Sequence, residues 1–313
     1  MAKRQPTYHV RNWAKYNRSL VARGSLTIWV SAEVVAAWTV VPPTGKRGHP
    51  RTYADLAIEC MATLRAVYHL PLRATQGLLG SIFELMQVTL QVPNFSTLSR
   101  RQVELDFHPP QRQASAGLHL VVDSTGVKVF GEGEWKVRQH GWSKRRTWKK
   151  LHLGVDEATG QILAVMVTDN SVADAAVLPG LLAQVAAPVA QVSGDKAYDT
   201  RASYEAVRQR QARATIPPRR GARIWQHANT QAERLIRDEN LRAIRRDGRK
   251  AWKQASGYHR RSLAETAMSR FKRILGPTIS ARTFPGQAAE IKLRCNILNV
   301  MLQLGAPDSY RVA

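Results

Sequence analysis

The chain has 313 residues, 44% hydrophobic and 22% charged, enough to bury a sizeable core across about two domains. Its 47 Lys and Arg against 23 Asp and Glu leave a formal charge of +24, which repels itself unless a polyanion is the working partner, and nucleic acid leads that class. Membrane and secreted-scaffold readings are excluded. The longest nearly apolar run, residues 27 to 41, contains Glu33 and falls short of the ~20 residues a span needs. MAKRQPTYHV lacks the apolar segment of a signal peptide, and Cys60 and Cys295 have no second cysteine at close spacing for a bridge or a zinc finger. A soluble protein of a reducing cytoplasm fits.

In chain order, a short N-terminal segment leads into PPTGKRGHPRT (42–52), whose Pro and Gly mark a linker. From Tyr53 to about Met86 the apolar spacing predicts two helices divided at Pro71. Over residues 93–105, Ser96 is the predicted N-cap of a short helix that exposes Arg100 and Arg101. Helix, helix, turn and basic helix is the outline of a DNA-docking bundle, and equally of an ordinary bundle whose last helix is solvated. Residues 1–112 thus read as a helical region, with Arg100 and Arg101 as candidate DNA contacts.

After Gln113 the pattern turns to strands: GLHLVVDSTGVKVF (117–130), then KKLHLGVD and QILAVMVTDN around the turn EATG. DAAVLPGLLAQV reads as helix, VAQVSGD (189–195) as a short strand, TRASYEAVRQR as helix and RATIPP as strand. Right-handed crossovers place the 189–195 strand parallel and adjacent to the first, in a mixed sheet with helices on both faces. This α/β core spans 113–290, and such sheets gather ligand chemistry at the carboxyl ends of their strands. A basic, partly helical insertion near 219–256 follows, and GYHRRSLAETAMSRFKRILG (257–276) is predicted as one helix. Residues 201–276 hold 20 Lys and Arg against 6 Asp and Glu, +14 of the total, which suits a polyanion groove. A tail helix lies within 291–313.

In the 257–276 helix, Tyr258, Arg261, Glu265 and Lys272 fall within about 60° of arc at about 100° per residue, beside the apolar face of Ala267, Met268 and Phe271. Glu265 can serve simply as the i,i+4 partner of Arg261. Two further acids have comparable settings: Asp123 ends the apolar run of LVVDSTG and Asp195 that of VSGDKAYDT. Each alone is also consistent with a strand-end or turn acid. An uncompensated acid there costs free energy, and magnesium compensates it, since hard ions take oxygen ligands where imidazole or thiolate would favour softer metals. Two such ions about 4 Å apart activate a water or hydroxyl and stabilise the leaving oxygen at a phosphodiester. Asp156 reads as a turn acid, Asp169 and Asp174 as caps, and Asp199 as a cap with an auxiliary role as the alternative. His140 and His152 read as structural. Residues 134–150 interleave Trp135, Trp142 and Trp148 with basic residues including Lys144, Arg145 and Arg146, a composition for base stacking and phosphate contact or for a packed hairpin with a solvated basic face.

The spacing Tyr258, two residues, Arg261, three residues, Glu265, six residues, Lys272 resembles the Tyr-Arg-Glu-Lys box of bacterial insertion-sequence transposases. VVDSTGVKVFGEGEWKVRQHG and SGDKAYDT are similar to that family's two Asp boxes, although Lys196 stands where a small residue is usual. The resemblance is to the IS-five type and covers nearly the whole chain, since VRNWAKYNRSLVARGSLTIW is similar to its N-terminal part. It implies a ribonuclease H-like core in which Asp123, Asp195 and Glu265 are the catalytic residues and the ligands of two Mg2+ ions, with Mn2+ as a substitute. It further implies cutting and strand transfer at terminal inverted repeats, double-stranded DNA as partner, at least a homodimer on DNA, and a place on the cytoplasmic nucleoid. Arg261 and Lys272 are then expected on DNA phosphates, Lys272 lying about 10 Å beyond Glu265 along the axis. Tyr258 is expected on a phosphate or base, with packing at the helix start as its alternative. Two rivals remain: a non-catalytic repressor derived from a transposase, and tyrosine-type recombination through Tyr258 with Arg261 and His259.

Overall fold

The computed structural model describes residues 7–39, 51–110, 117–130, 148–226 and 234–312, the Arg311 side chain apart. These form two compact units, Met1–Leu105 with Asn296–Ala313, and Asp106–Cys295. Trp135, Trp142, Lys144, Arg145, Arg146 and His140 lie outside the described residues, as does most of the 42–52 linker.

The first unit starts with strand β1 (Thr7–Val10), followed by helices α1 (Trp13–Ala22), α2 (Leu26–Trp29), α3 (Ala32–Ala36), α4 (Asp55–Val67), α5 (Leu72–Leu85) and α6 (Phe95–Arg101). Along α4 the residues Ala57, Ile58, Met61 and Leu64 are buried, the stripe that helical spacing requires of a core face. Leu79, Ile82 and Phe83 do the same on α5. Trp38 closes this core, with its ring edge-on to Phe83 at 4.9 Å and its indole N–H donating to the Gln91 carbonyl at 2.9 Å. The cap of α6 is Asn94 and not Ser96: its Oδ1 accepts from the Ser96 amide at 2.9 Å, because the extended backbone after Pro93 turns helical two residues earlier than the sequence suggested. Arg101 is also not free on the surface. Its guanidinium donates to the Tyr53 carbonyl and the Asp55 carboxylate, and only 11% of the side chain is exposed. Arg100 stays exposed.

The second unit is built on strands β2 (Leu118–Val129), β3 (Trp148–Asp156) and β4 (Ile162–Asp169), helix α7 (Asp174–Gln184), strand β5 (Val189–Ser193), helix α8 (Arg201–Gln209) and strand β6 (Arg213–Thr215). The sheet order is β4-β3-β2-β5-β6, antiparallel across the first three strands and parallel from β2 through β5 to β6. One face of the sheet, Leu118, Leu120 and Val122 among it, packs with Leu178, Leu181 and Leu182 of α7 and Tyr204 and Val207 of α8.

Helix α9 (Ile236–Ala255) follows, kinked at Gly248, and then α10 (Ser262–Ile274). The 257–276 segment is not one helix: Gly257 takes the left-handed conformation at φ 69°, and a 3-10 turn over Tyr258–Arg261 precedes α10. Ala264, Ala267, Met268 and Phe271 are buried where α10 packs on β2 and β3. Strand β7 (Thr278–Ile279) pairs parallel with Lys128 and Val129 at the far end of β2. Helix α11 (Phe284–Leu304) begins before residue 291, where the sequence placed the tail helix, and β8 (Ser309–Val312) returns to the first unit to pair antiparallel with β1. Among the described residues no helix is long and apolar enough to cross a membrane.

Candidate active site

Strand register brings the first two acids together. Val121 of β2 pairs with Ser193, the last residue of β5. Asp123 lies two residues past Val121, where β2 runs on beyond its neighbour, and Asp195 lies two residues past Ser193, where the chain turns away. Asp123, midway along β2, therefore stands level with the carboxyl end of the adjacent parallel strand β5, just past which lies Asp195. Asp195 caps the 3-10 turn Lys196–Tyr198, its Oδ1 accepting from the Ala197 amide at 2.8 Å. Gly194 makes that turn possible, because a Cβ there would stand 2.8 Å from the Tyr198 ring.

The third acid comes from α10. Arg261, just before its first residue, donates from Nη1 to Asp123 Oδ2 at 2.8 Å and from its other terminal nitrogen to Glu265 Oε1. One guanidinium thus joins the strand acid to the helix acid. Glu265 is the most open of these groups, with 54% of its side chain exposed against 17% for Asp123. Lys272 donates from Nζ to Thr125 Oγ1 at 2.6 Å, so a second cation of the same helix reaches β2 two residues from Asp123.

Burial raises the Asp123 carboxyl above its ordinary value of 3.8, the Ser124 amide and Arg261 lower it, and the charges of Asp195 and Glu265 raise it again. Asp123 thus feels the charge of both other acids. A carboxyl raised by folding binds its proton more tightly in the native state, so its contribution makes stability fall as pH rises from 3.8 through the higher folded value. A carboxyl-detected NMR titration is expected to place the Asp123 midpoint above 3.8, and Arg261→Gln to move it further up. A midpoint at or below 3.8 would show that burial does not govern this acid.

The donors are all oxygen, held by a strand, a capped turn and a helix, which is the chemistry a hard divalent ion takes. Among the described residues, no group of three or more His, Cys, Asp or Glu side chains is already gathered tightly enough to hold a metal ion. Arg261 is what compensates Asp123 and Glu265 here, so a divalent ion fits this donor set by taking over part of that role.

The remaining predicted contacts are placed as follows. Tyr258 is half-buried, its ring 5.7 Å from that of Trp252 and within cation–π reach of Lys253 and Arg261. Trp148 is half-buried on β3, with the Lys128 ammonium 5.6 Å from its ring. Lys196 is exposed. His152 is buried, its Nε2 2.8 Å from Thr168 Oγ1. Asp156 binds its own turn, while Asp169 pairs with Lys149 and Asp174 with Lys150; neither of the latter two caps α7 through its side chain.

Asp199 is not a helix cap. Thr200 caps α8, and Asp199, 2% exposed at its side chain, is paired with Arg237 at 3.0 Å. Sequence reasoning missed Arg237 altogether, and its only signal was the density of arginines around it. It also missed the pair formed by Arg260 and Glu157, which ties the 3-10 turn before α10 to the end of β3. A cavity of about 470 Å³ lies among Tyr204, Trp225, Leu235 and several arginines, and none of the three acids lines it.

Two family models, each described as a transposase DDE domain, match residues 21–132 and 114–300. A solved structure, the cryo-EM piggyBac transposase synaptic complex with hairpin DNA, is similar at a TM-score of 0.39 and 9% identity. That alignment covers 91% of this chain and 76% of the other, a likeness too loose to bear on the site.

Proposed function

The chain belongs to the family of transposases with a DDE domain, matched over residues 114–300, and from that premise we propose that it cuts and joins DNA at the ends of a mobile element, with Asp123, Asp195 and Glu265 as its acidic triad. The observation that carries this reading is that Asp123 on β2 lies within electrostatic reach of Asp195 in the β5 turn and of Glu265 on α10, with Arg261 bridging Asp123 to Glu265. The sheet order, with Asp123 on β2 level with the carboxyl end of parallel β5 and Asp195 just past that end, supports a ribonuclease H-like core.

Asp123, Asp195 and Glu265 are the residues that would hold Mg2+ or Mn2+. When bound, such ions lower the pKa of an attacking water or hydroxyl and neutralise charge on the phosphodiester. The rest of the work falls to the chain. The cap to Ala197 commits one oxygen of Asp195 and fixes the carboxylate's direction. Arg261, which bonds Asp123 and Glu265, and Lys272, which bonds Thr125, would offer positive charge to the DNA backbone beside the scissile bond. Arg100 and the basic residues of the 134–150 segment are further candidate contacts to DNA, and the two ends of one element need two copies of the chain. Tyr258 is a poor covalent nucleophile: its half-buried ring packs on Trp252, and burial raises its hydroxyl's pKa.

The test is an end-bearing duplex incubated with the full chain. Nicking is expected in Mg2+ or Mn2+ and is abolished by chelation. Specific binding with no nicking at any metal concentration would overturn the proposal in favour of a repressor. Because the charge is +24, binding is also expected to weaken by about a thousandfold or more between 50 and 200 mM salt if roughly 6–10 phosphates are neutralised. A flat salt profile in the same gel-shift assay would rule out the phosphate-tracking surface.

A further inference from the structure

We propose that Arg237, in the segment between β6 and the glutamate-bearing helix, is a positioning residue for Asp195, acting through a buried clamp on Asp199. The inference rests on the triad reading above and adds to it a residue that neither the Asp boxes nor the Tyr-Arg-Glu-Lys box contains.

The connection runs through hydrogen bonds in both directions. Arg237 is 4% exposed at its side chain and Asp199 is 2%, and Arg237 Nε donates to Asp199 Oδ1 at 3.0 Å. The second Asp199 oxygen accepts from the Arg219 amide at 2.8 Å. The Arg237 fork also reaches the Arg223 carbonyl and Asp238, and its guanidinium lies 3.9 Å from the centre of the Trp225 ring. Asp238 in turn accepts from the Trp225 and Gln226 amides. The two buried carboxylates are thereby tied to the 219–226 segment and to the start of α9.

The other end of the clamp is the Asp195 turn. The Asp199 amide donates to the Lys196 carbonyl at 3.2 Å, and the Tyr198 amide donates to the Asp195 carbonyl at 3.1 Å. Arg219 Nε reaches the Lys196 carbonyl at 3.4 Å. Tyr198 between them is fully buried against Gly194, so the turn is wedged below by its ring and gripped above by the ion pair. A single 3-10 turn has few bonds of its own to resist rotation. Asp199 held in place fixes where that turn ends, and so where the Asp195 carboxylate points. A buried pair of this kind is weak warrant for stability, since apolar residues of similar volume often do as well. Its use is geometric.

The test is Mn2+ titration of the full chain followed by electron paramagnetic resonance, alongside thermal melting, gel shift and the Mg2+ dependence of nicking. Arg237→Lys keeps the charge and loses the fork; Asp199→Asn with Arg237→Gln removes both charges together. Outer-shell partners of metal ligands typically change affinity by about 10–100-fold. Both variants are expected to weaken Mn2+ binding at least about tenfold and to shift nicking to higher Mg2+, with DNA affinity unchanged. Arg294→Lys is the control, because it disturbs another buried pair, Arg294 with Glu290, on α11. It is expected to lower the melting temperature and leave Mn2+ affinity as it was.

Folded Arg237 variants that bind Mn2+ within twofold of wild type would overturn the proposal. Asp195→Ala is the reference: if it too leaves Mn2+ affinity unchanged, the triad reading itself has failed, and if only the Arg237 variants do, the positioning claim alone has failed. Should neither variant melt cooperatively, hydrogen exchange of the wild-type chain decides. The Tyr198 and Asp199 amides must then be protected to the same degree as those of Trp225 and Gln226, and unrelated protection would overturn the clamp.

Discussion

Asp123→Ala, Asp195→Ala and Glu265→Gln are each expected to lower cleavage of an end-bearing duplex by at least about a thousandfold, roughly 4 kcal/mol of lost transition-state stabilisation, while leaving gel-shift affinity for the same duplex nearly unchanged. On the proposal that the acids form one ligand set, combining two substitutions should add little to either alone. Their side effects differ because their surroundings differ. Glu265 is largely exposed, and Gln preserves its shape, so stability should hardly move. Asp195→Ala also removes the cap on the Ala197 amide, worth about 1 kcal/mol of stability. Asp123→Ala removes an acid that burial disfavours and leaves Arg261 with Glu265 as its carboxylate partner. Ordinary turnover by any one of the three at saturating metal would remove that residue from the triad.

Phe271→Ala should have the largest effect on folding. The side chain is fully buried on α10, beside Ala264, Ala267 and Met268, where the helix packs on β2 and β3. Truncating a buried phenylalanine typically costs about 3–5 kcal/mol, a large part of the roughly 5–15 kcal/mol that holds a domain together. Urea unfolding should show a lower midpoint at a similar slope. Arg273→Ala, on the exposed side of the same helix, should stay within about 0.5 kcal/mol of wild type. A loss below about 1 kcal/mol for Phe271→Ala would mean that α10 is not anchored through this ring. The functional consequence is that Glu265 reaches the strand acids only as well as its helix is seated.

The parts of the fold that were legible in the sequence are those whose signal is local and periodic. The strands around Asp123 and the hairpin after it, the helices α4 and α5 split at Pro71, and the strand ending before Asp195 all announce themselves by spacing. The parallel pairing of β2 with β5 followed from handedness alone. Elements too short to have a period were missed, β7 with its two residues above all. So was the break at Gly257, where a left-handed glycine overrode a continuous apolar stripe. Side-chain partners remote in the sequence were invisible: Asp199 looks like a cap until Arg237 is seen beside it, and Arg101 looks free until it is found on Asp55. The stripe of Tyr258, Arg261, Glu265 and Lys272 was legible as a stripe. That Arg261 spans two acids was not, because helical geometry says which residues share a face and nothing about what a strand presents to them.

The β1–β8 ladder has a consequence for biosynthesis. Thr7 pairs with Val312 and Val10 with Ser309. At about 5–20 residues per second on the ribosome, the leading strand emerges roughly 15–60 s before its partner is translated. Until then its hydrogen-bonding edge has no cognate neighbour, and a nascent polypeptide stalled before codon 309 would carry the three acids with an unfinished amino-terminal unit.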